Sequence, residues 1–364
     1  MRTIKILTLL TLSLFIGITS CKKDDSDTTP KELKNYSGSG SNGDLITFEI
    51  NHTDNTYSIN NETTNKTENG SYTTMLDSSL NGIYKVNANG SDFYAIELND
   101  KIIAANFPTG NPLNTISYGV SSKLDNTDNV SNIAGDYLFM TMSEEGIMDD
   151  PSIKQWGILN INSDKSWKKK DFATNTGDGS VTEMSPDLFT GALEITSSDE
   201  TGTWEVDGTN KERLNVKVNG LTNDLTGYVY AGANEAAFLL DLGTGNGFLL
   251  ALKITNNATI NSIAGDYKFI NVWQDGKGAG NYSINNSGLV NWIHKGSDGN
   301  GSGSFQLTQC NNVFKNVFYA KSVEIEPNYF EDIYCVIVGD MIMHFSFEDS
   351  NGDFAQYGTG ARLN

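Results

Sequence analysis

The sequence of 364 residues is poor in cysteine, proline, histidine and positive charge. Its three cysteines allow one disulfide at most, and its three histidines, His52, His294 and His344, are too far apart in the chain to indicate a zinc site. No segment shows a sustained helical period of apolar residues, which argues against a helical fold. Lysine and arginine number 25 against 45 acidic residues, and this balance disfavours nucleic acid as a partner.

Recognised catalytic motifs are absent as well. There is no His-Glu-x-x-His, no Gly-x-Ser-x-Gly and no Walker loop. Residues 38–43 match Gly-x-Gly-x-x-Gly literally, but they lack the flanking strand and helix of a dinucleotide site, so we interpret them as a flexible polar segment. Residues 298–303 partly match a calcium loop, yet Gln309 stands where a bidentate Glu is needed. The sequence therefore predicts no enzyme, no metal site and no cofactor.

The N-terminus resembles a bacterial lipoprotein signal peptide. Arg2 and Lys5 precede an apolar stretch at residues 6–18, which is too short to span a bilayer but suits a secretory signal. Residues 18–20, Ile-Thr-Ser, run directly into Cys21, as in a lipobox. This resemblance implies cleavage before Cys21 and acylation of its thiol, which would anchor the mature chain to a lipid bilayer. The alternative is a plain secreted protein with an unrelated cysteine.

The segment after Cys21 predicts a flexible tether and a location for the protein in the cell. Residues 22–25, Lys-Lys-Asp-Asp, resemble the signal that exports some Gram-negative lipoproteins to the cell surface. Residues 21–33 are polar and lack an apolar period, so they are predicted to form the acylated tether. Loss of the leader removes two positive charges, and the mature balance is 23 minus 45, or −22. The expected location is the outer face of the outer membrane.

The composition favours strands joined by polar turns. Glycine (36), phenylalanine (17) and tyrosine (15) are abundant, while proline numbers six. Cys310 and Cys335 both fall on predicted strands. In an oxidising compartment they could form a disulfide, and two free buried thiols are the alternative.

Internal repeats divide the chain into three. Residues 132–139 (NIAGDYLF) recur as residues 262–269 (SIAGDYKF), and residues 33–37 resemble a degraded first copy. A second mark consists of glycine, a hydroxyl residue and an aromatic, at residues 70–72, 202–204 and 303–305. Each copy ends in a predicted hairpin followed by a final strand.

The repeats predict an all-β chain of three tandem up-and-down antiparallel barrel-like units, each of about eight strands. Closure removes exposed edge strands and encloses space for side chains or one small ligand. The Gly-Asp-Tyr opening and the glycine-hydroxyl-aromatic mark resemble the lipocalin-like or avidin-like repeats of bacterial surface lipoproteins, which implies a binding protein. The same strands would also suffice for a six-bladed β-propeller.

The predicted organisation is a signal peptide at residues 1–20, the tether at residues 21–33, and β units at residues 34–127, 128–257 and 258–364. The second unit is longer than the others in its first half. Its extra residues fall at 143–151 and 171–198. Long loops on a rigid scaffold commonly carry binding sites, although an insertion at a strand end can also be neutral.

All five tryptophans lie in the second and third units. Three lie on predicted strands and are assigned to cores: Trp156, Trp204 and Trp273. Trp167 adjoins the basic run at residues 168–170, and Trp292 is close to His294. Because aromatic rings beside polar loops stack on sugar rings, Trp167, Trp292 and His294 are the predicted ligand contacts. The basic run itself is interpreted as a solvated hairpin face.

The sequence favours a non-enzymatic binding or adhesion lipoprotein whose ligand is a glycan or a protein. One alternative is a carboxylate-based hydrolase with its site in the loops of the second unit, and another is a structural envelope component. Residues 149–150 and 331–332 are acidic pairs. Adjacent residues on a strand point to opposite faces, so we interpret these pairs as solvent charges rather than as a catalytic site.

Overall fold

The computed structural model describes residues 33–88, 90–98, 101–106, 115–121, 132–143, 156–171, 200–232, 236–273, 276–297, 299–309, 316–348 and 354–363. The predicted signal peptide, Cys21, Cys310 and nearly all of both predicted insertions lie outside these ranges. Among the described residues, no helix has the length and apolar character needed to cross a membrane.

The strands form three consecutive sheets. The first contains β1 (Leu33–Gly40), β2 (Leu45–Asn51), β3 (Thr56–Asn61), β4 (Lys66–Ser71), β5 (Thr73–Thr74), β6 (Ile83–Ala88), β7 (Ser91–Leu98), β8 (Ile102–Ala105) and β9 (Ser117–Val120). The second contains β10 (Gly135–Met142), β11 (Trp156–Ile161), β12 (Ser166–Asp171), β13 (Glu200–Val206), β14 (Leu214–Val218), β15 (Leu225–Ala231), β16 (Ala236–Asp241) and β17 (Phe248–Lys253). The third contains β18 (Gly265–Trp273), β19 (Gly276–Ile284), β20 (Leu289–Gly296), β21 (Gly299–Gln306), β22 (Thr308–Gln309), β23 (Val317–Glu326), β24 (Tyr329–Val338), β25 (Met341–Glu348) and β26 (Phe354–Arg362).

Each sheet runs up and down and returns to its own first strand. β1 pairs with β9, β10 with β17 and β18 with β26, all antiparallel. The second sheet is a closed barrel of eight strands. The other two sheets have nine strands each, and their two terminal strands are β4 and β5 in the first sheet and β21 and β22 in the third. The predicted all-β fold of three tandem barrel-like units is therefore confirmed. The alternative of six four-stranded propeller blades is wrong.

The repeated Gly-Asp-Tyr motif opens the second and third barrels. Gly135 and Gly265 have φ angles of 149° and 153°, a region that side chains beyond glycine rarely enter. Tyr137 and Tyr267 then point inward and are fully buried, and Tyr36 has the same position on β1. The motif thus fixes the point at which each barrel begins.

Each barrel has an interior core of its own, and a fourth and larger cluster lies between the barrels. This cluster, here called the shared core, joins outward-facing side chains of all three sheets, among them Ile96 and Tyr118, Trp156 and Phe248, and Tyr334 and Phe345. The ring centroids of Tyr118 and Phe248 are 6.3 Å apart, and those of Trp156 and Phe345 are 5.4 Å apart. The three barrels therefore pack together as one body.

The shared core explains why several strands are apolar on both faces. An antiparallel strand with one wet face alternates apolar and polar residues. In contrast, β8, β9 and β16 are buried at every residue, and β17 is buried at all but its last. These strands carry one face into their own barrel and the other into the shared core.

The glycines of residues 38–43 belong to this packing. Residues 38–40 are buried within β1, so the predicted flexible segment is wrong. A Cβ added at Gly38 would lie 1.8 Å from the carbonyl oxygen of Tyr118 on the neighbouring strand. In the turn that follows, Asn42 accepts a hydrogen bond from the Gly245 backbone of the second barrel at 2.9 Å. Glycine is needed here for close backbone approach, not for mobility.

A buried carboxyl also lies between the first and second barrels. Asp241, at the end of β16, accepts a hydrogen bond from the Ser39 hydroxyl at 3.1 Å and is 8% exposed. Burial raises the pKa of Asp241 from 3.8 to about 6, and the negative charge of Asp44 acts in the same direction. Between about pH 4 and pH 6, the carboxyl group of Asp241 is therefore protonated in the folded protein but ionised in the unfolded chain.

This linkage predicts that Asp241 weakens folding as pH rises from about 4 to about 6. Asp241→Asn is expected to raise the free energy of unfolding at pH 7 by about 3 kcal/mol, with little gain at pH 4. Guanidinium denaturation at each pH measures this, with exposed Asp224→Asn as the control. A gain of equal size at every pH would contradict the prediction.

Candidate functional site

The third barrel contains an open cavity of about 550 Å³. Its walls combine aromatic rings with hydrogen-bonding side chains: Phe269, Trp273, Tyr282, Trp292 and Phe305, with Asn271, His294, Glu331 and Gln356. Ligand sites of proteins usually have this size and this mixture of apolar walls and a few polar groups.

Alternating glycines make room for these side chains. Successive residues of a strand face opposite sides, so glycines two apart clear one face. Gly278 on β19 lies diagonally across from His294, whose register partner is Gly280, and a Cβ added at Gly278 would be 2.0 Å from Nε2 of the His294 ring. Gly303 on β21 lies beside Trp292, where an added Cβ would be 2.8 Å from the indole nitrogen. Residues 299–303 are thus part of strand β21.

A chain of hydrogen bonds crosses the cavity wall. Gln356 Nε2 donates to Glu331 Oε2 at 2.9 Å, and Asn271 Nδ2 donates to Gln356 Oε1. Nε2 of His294 lies 3.2 Å from Asn271 Oδ1. Because an amide oxygen only accepts, His294 must carry its proton on Nε2 for this bond to form. The buried carboxylate at one end therefore sets the orientation of every polar group along the wall.

His344 lies one layer deeper in the same barrel. Its ring contacts Phe269 and Tyr282 edge-on, with centroids 5.2 and 5.4 Å apart, and it is 1% exposed. Among the described residues neither ring nitrogen has a hydrogen-bond partner. Burial lowers the pKa of His344 to about 3, and nearby His294 adds to the effect. The imidazole is therefore neutral at physiological pH.

Cys335 is the cross-strand neighbour of His344. Burial raises the pKa of its thiol to about 12, so thiol and imidazole are both uncharged and do not form a reactive ion pair. Cys335 is a buried free thiol in the structure. Its predicted partner Cys310 lies outside the described residues, and the disulfide stays a prediction.

The first barrel is filled. Glu97 accepts hydrogen bonds inside it from the hydroxyls of Tyr36 and Tyr84, and His52 Nε2 lies 2.9 Å from the same carboxylate. The other nitrogen of His52 is 2.8 Å from the Tyr72 hydroxyl. A cavity beside these rings has a volume of only about 30 Å³. Among the described residues, this network therefore occupies much of the interior of the first barrel.

The predicted ligand contacts lie in two different barrels. Trp292 and His294 line the cavity of the third barrel, whereas Trp167 lines a smaller cavity in the second. Both tryptophans are buried, at 7% and 5% exposure, rather than on the surface. The reason is strand alternation, which turns both rings inward. Their role as ligand contacts stays a prediction.

Two charged side chains that the sequence predicts to be exposed to solvent, Lys169 and Glu331, are buried in the structure. Within the basic run, Lys169 is 8% exposed and points into the second barrel, so the run as a whole is not a solvated face. Within the pair at residues 331–332, Glu331 is 3% exposed and belongs to the hydrogen-bond chain. Both residues share a face with inward aromatic or aliphatic neighbours two positions away.

The remaining tryptophans follow the predicted core assignment in part. Trp204 lies inside the second barrel and Trp156 in the shared core. Trp273 instead lines the third cavity, where its ring meets His294 edge-on with centroids 5.4 Å apart.

The polar wall formed by Asn271, Glu331 and Gln356 was not predicted from the sequence. The available signal was the spacing of glycines at every second residue of β19 and β21, which marks a strand face cleared of side chains. Polar residues at inward positions of the neighbouring strands face the cleared space.

No protein-family model matches the chain, and no curated protein matches its sequence. Among solved structures, one similar chain is a protein of unknown function from the DUF3598 family of Nostoc punctiforme, with 10% identity, a TM-score of 0.23, and coverage of 65% of this chain and 98% of that one. A second is a candidate outer membrane protein from Bacteroides fragilis, with 9% identity, a TM-score of 0.19, and coverage of 65% and 100%. A third is intact Ap-TbpB with its N and C lobes, with 11% identity, a TM-score of 0.22, and coverage of 91% and 77%.

These solved structures are all 11% identical to the chain or less. Their TM-scores lie below 0.5, so they carry no argument about function. The function must be inferred from the site itself.

Proposed function

We propose that the chain is a non-enzymatic binding lipoprotein, anchored at the outer face of the outer membrane through Cys21. In this proposal the third barrel holds a hydroxyl-rich ligand, of which a glycan is the leading example. The observation that carries the proposal is the cavity of about 550 Å³ with its ordered polar wall. The anchor is supported by the lipobox-like sequence before Cys21 and by the polar segment after it.

The contrast among the barrels supports the choice of site. All three share an up-and-down strand order, yet cavities bounded by the described residues measure about 550 Å³ in the third barrel, 180 Å³ in the second and 30 Å³ in the first. A cavity of several hundred Å³ is the size that holds a small ligand or one or two sugar rings. Repeated scaffolds with unequal interiors are consistent with one copy carrying the ligand and the others supporting it.

The chemistry of the wall suits a molecule that both donates and accepts hydrogen bonds. Glu331 offers only acceptors when ionised, whereas the amides of Asn271 and Gln356 offer both donors and acceptors. The rings of Trp273 and Trp292 supply flat apolar surface beside these groups. Sugar rings present hydroxyls at their edges and apolar C–H faces, so they match both features.

Glycan-array binding of the unacylated mature chain tests the proposal. Trp292→Ala is expected to weaken binding at least about tenfold, because a ring that lines the cavity is lost. The matched control is Trp167→Ala, which removes the same side chain from a different barrel. Glu331→Gln keeps the shape of the wall and is expected to weaken binding through the altered donor pattern. No binding to any glycan class, or equal losses in both tryptophan variants, would contradict the proposal.

A hydrolase is the second candidate, because two carboxylates, Glu326 and Glu331, line the same cavity. Paired carboxylates are the usual catalytic groups of glycoside hydrolysis. The loops of the second unit, in which the sequence places a hydrolase site, are residues 143–151 and 171–198 and lie almost wholly outside the described residues. Incubating a bound oligosaccharide with the protein and analysing it by chromatography separates the two candidates. A binding protein returns it intact, whereas cleavage that Glu331→Gln abolishes would establish the enzyme.

A further inference from the structure

We infer that the ligand of the third barrel carries a positive charge, and that the glycan it binds is an amino sugar with a free ammonium group. The inference rests on the proposed function, because it concerns the same cavity. It adds a charge requirement that separates one class of sugar from neutral, acetylated and acidic ones. This requirement follows from which charged side chains face the cavity and which face away from it.

The two acidic side chains in the cavity wall are Glu326 and Glu331. Glu331 is 3% exposed, whereas Glu326 is exposed and lies beside Pro327 in the same wall. Among the described residues, neither lysine nor arginine lines the cavity. Two carboxylates with no balancing cation attract a positive charge, and the attraction is stronger beside protein walls than in bulk water. An acidic ligand is repelled for the same reason.

Three lysines on β18, β19 and β20 point away from the cavity. Lys268 Nζ donates a hydrogen bond to the backbone oxygen of Ser79 at 2.6 Å, and Lys295 Nζ lies 3.0 Å from Asp77 Oδ2. The ammonium group of Lys277 lies over an aromatic ring of β7, 4.2 Å from its centroid. All three partners belong to the first barrel. Strand alternation therefore keeps these positive charges on the outer face, where they hold the two barrels together, and leaves the interior acidic.

The indole rings of the cavity suit an ammonium group as well as a sugar. Trp273 and Trp292 line the cavity, and Trp273 is only half-buried, so its ring is open to a ligand. The face of an indole attracts a cation more strongly than the face of a phenyl ring does. The same ring offers flat apolar surface to the C–H face of a sugar. An ammonium group carried on a sugar ring uses both the indoles and the carboxylates.

Three β-1,4-linked disaccharides test the inference, because they differ only in the group on the second carbon of each ring. Cellobiose has a hydroxyl there, N,N′-diacetylchitobiose an acetamide, and the disaccharide of glucosamine an ammonium group. Isothermal titration calorimetry on the unacylated mature chain measures the affinities at about pH 7, below the pKa of an aliphatic amine. The glucosamine disaccharide is expected to bind at least about tenfold more tightly than either neutral sugar.

Substitution of each carboxylate separates the charge effect from a general loss of the site. Glu326→Gln and Glu331→Gln are each expected to lower the affinity ratio of the glucosamine disaccharide to cellobiose by at least about threefold. The matched control is Asp332→Asn, which removes the same charge one residue further along β24, on the opposite face of the strand. This control is expected to leave the ratio unchanged. If the buried Glu331→Gln variant fails to fold, the exposed Glu326→Gln variant still decides.

n-Butylamine, which has an ammonium group but no sugar ring, shows whether charge alone suffices. It is expected to bind at least about tenfold more weakly than the glucosamine disaccharide, because it leaves the indole surface uncovered. Equal affinity for this amine would overturn the inference of an amino sugar. An unaltered affinity ratio in Glu326→Gln would overturn the charge requirement.

Failure of this inference is distinguishable from failure of the proposed function. Equal affinities for the three disaccharides, or no binding of the glucosamine disaccharide while another glycan binds, would overturn the inference and leave the proposed function in place. No binding to any glycan class would contradict the proposed function itself.

Discussion

Phe248→Ala is expected to lower the free energy of unfolding by about 3–5 kcal/mol, the usual cost of deleting a fully buried aromatic side chain. Phe248 lies on β17, is fully buried, and packs in the shared core beside Tyr118 of the first barrel. The interior cores of the barrels do not include it. The substitution is therefore expected to weaken the packing of the barrels against one another rather than the closure of any single barrel.

Guanidinium denaturation followed by fluorescence and circular dichroism measures this effect. The wild-type chain is expected to unfold in one transition, because the shared core couples all three barrels. The matched control is Phe330→Ala, since Phe330 is 39% exposed and its loss should change stability by only about 0.5 kcal/mol. Three separate transitions, or equal effects of the two substitutions, would show that the barrels do not depend on one another.

His344→Leu is expected to stabilise the protein at pH 4, relative to its effect at pH 7, by about 3 kcal/mol. Burial holds the pKa of His344 near 3 in the folded chain, whereas the unfolded chain binds the proton below about 6.5. Folding therefore loses stability as pH falls through 6.5, and the loss continues down to about pH 3. Leucine removes the titrating group and both unpartnered nitrogens.

Urea denaturation between pH 4 and pH 7 measures this pH dependence. Asp241→Asn provides a control of opposite sign, because the raised pKa of Asp241 stabilises the protein on acidification. The two variants should therefore change the slope of stability against pH in opposite directions. Parallel profiles for wild type and His344→Leu would contradict the assignment of a neutral, buried imidazole.

The barrels could be predicted because each copy carries its own local marks. Gly-Asp-Tyr at residues 135–137 and 265–267 begins a strand, and the turns after it have glycine and asparagine at the expected positions. Simple up-and-down order needs only short-range pairing, which sequence patterns express directly. The strand count of each unit then indicates closure.

The packing of the barrels against one another could not be predicted in this way. The apolar residues of β16 and β17 indicate buried strands, but they do not show which partner covers the second face. That partner comes from residues more than a hundred positions away, such as Tyr118 opposite Phe248. A single sequence contains no pattern that relates such distant surfaces.

The candidate site could be predicted only in part, because its residues share a strand face rather than a stretch of sequence. The sequence indicates Trp292 and His294 because they are close together, and their spacing of two is also what places both inside the barrel. Asn271 and Gln356 are distant in sequence from them and lie on neighbouring strands of the same wall. Proximity along the chain also misled the placement of Trp167, which is inward in another barrel.

The most direct test of the proposed binding site is a crystal structure of the mature chain with an oligosaccharide selected on the glycan array. The ligand is expected inside the third barrel, against Trp273 and Trp292, with its hydroxyls bonded to Asn271 and Gln356. A ligand bound outside this cavity, on the loops or on another barrel, would contradict the account.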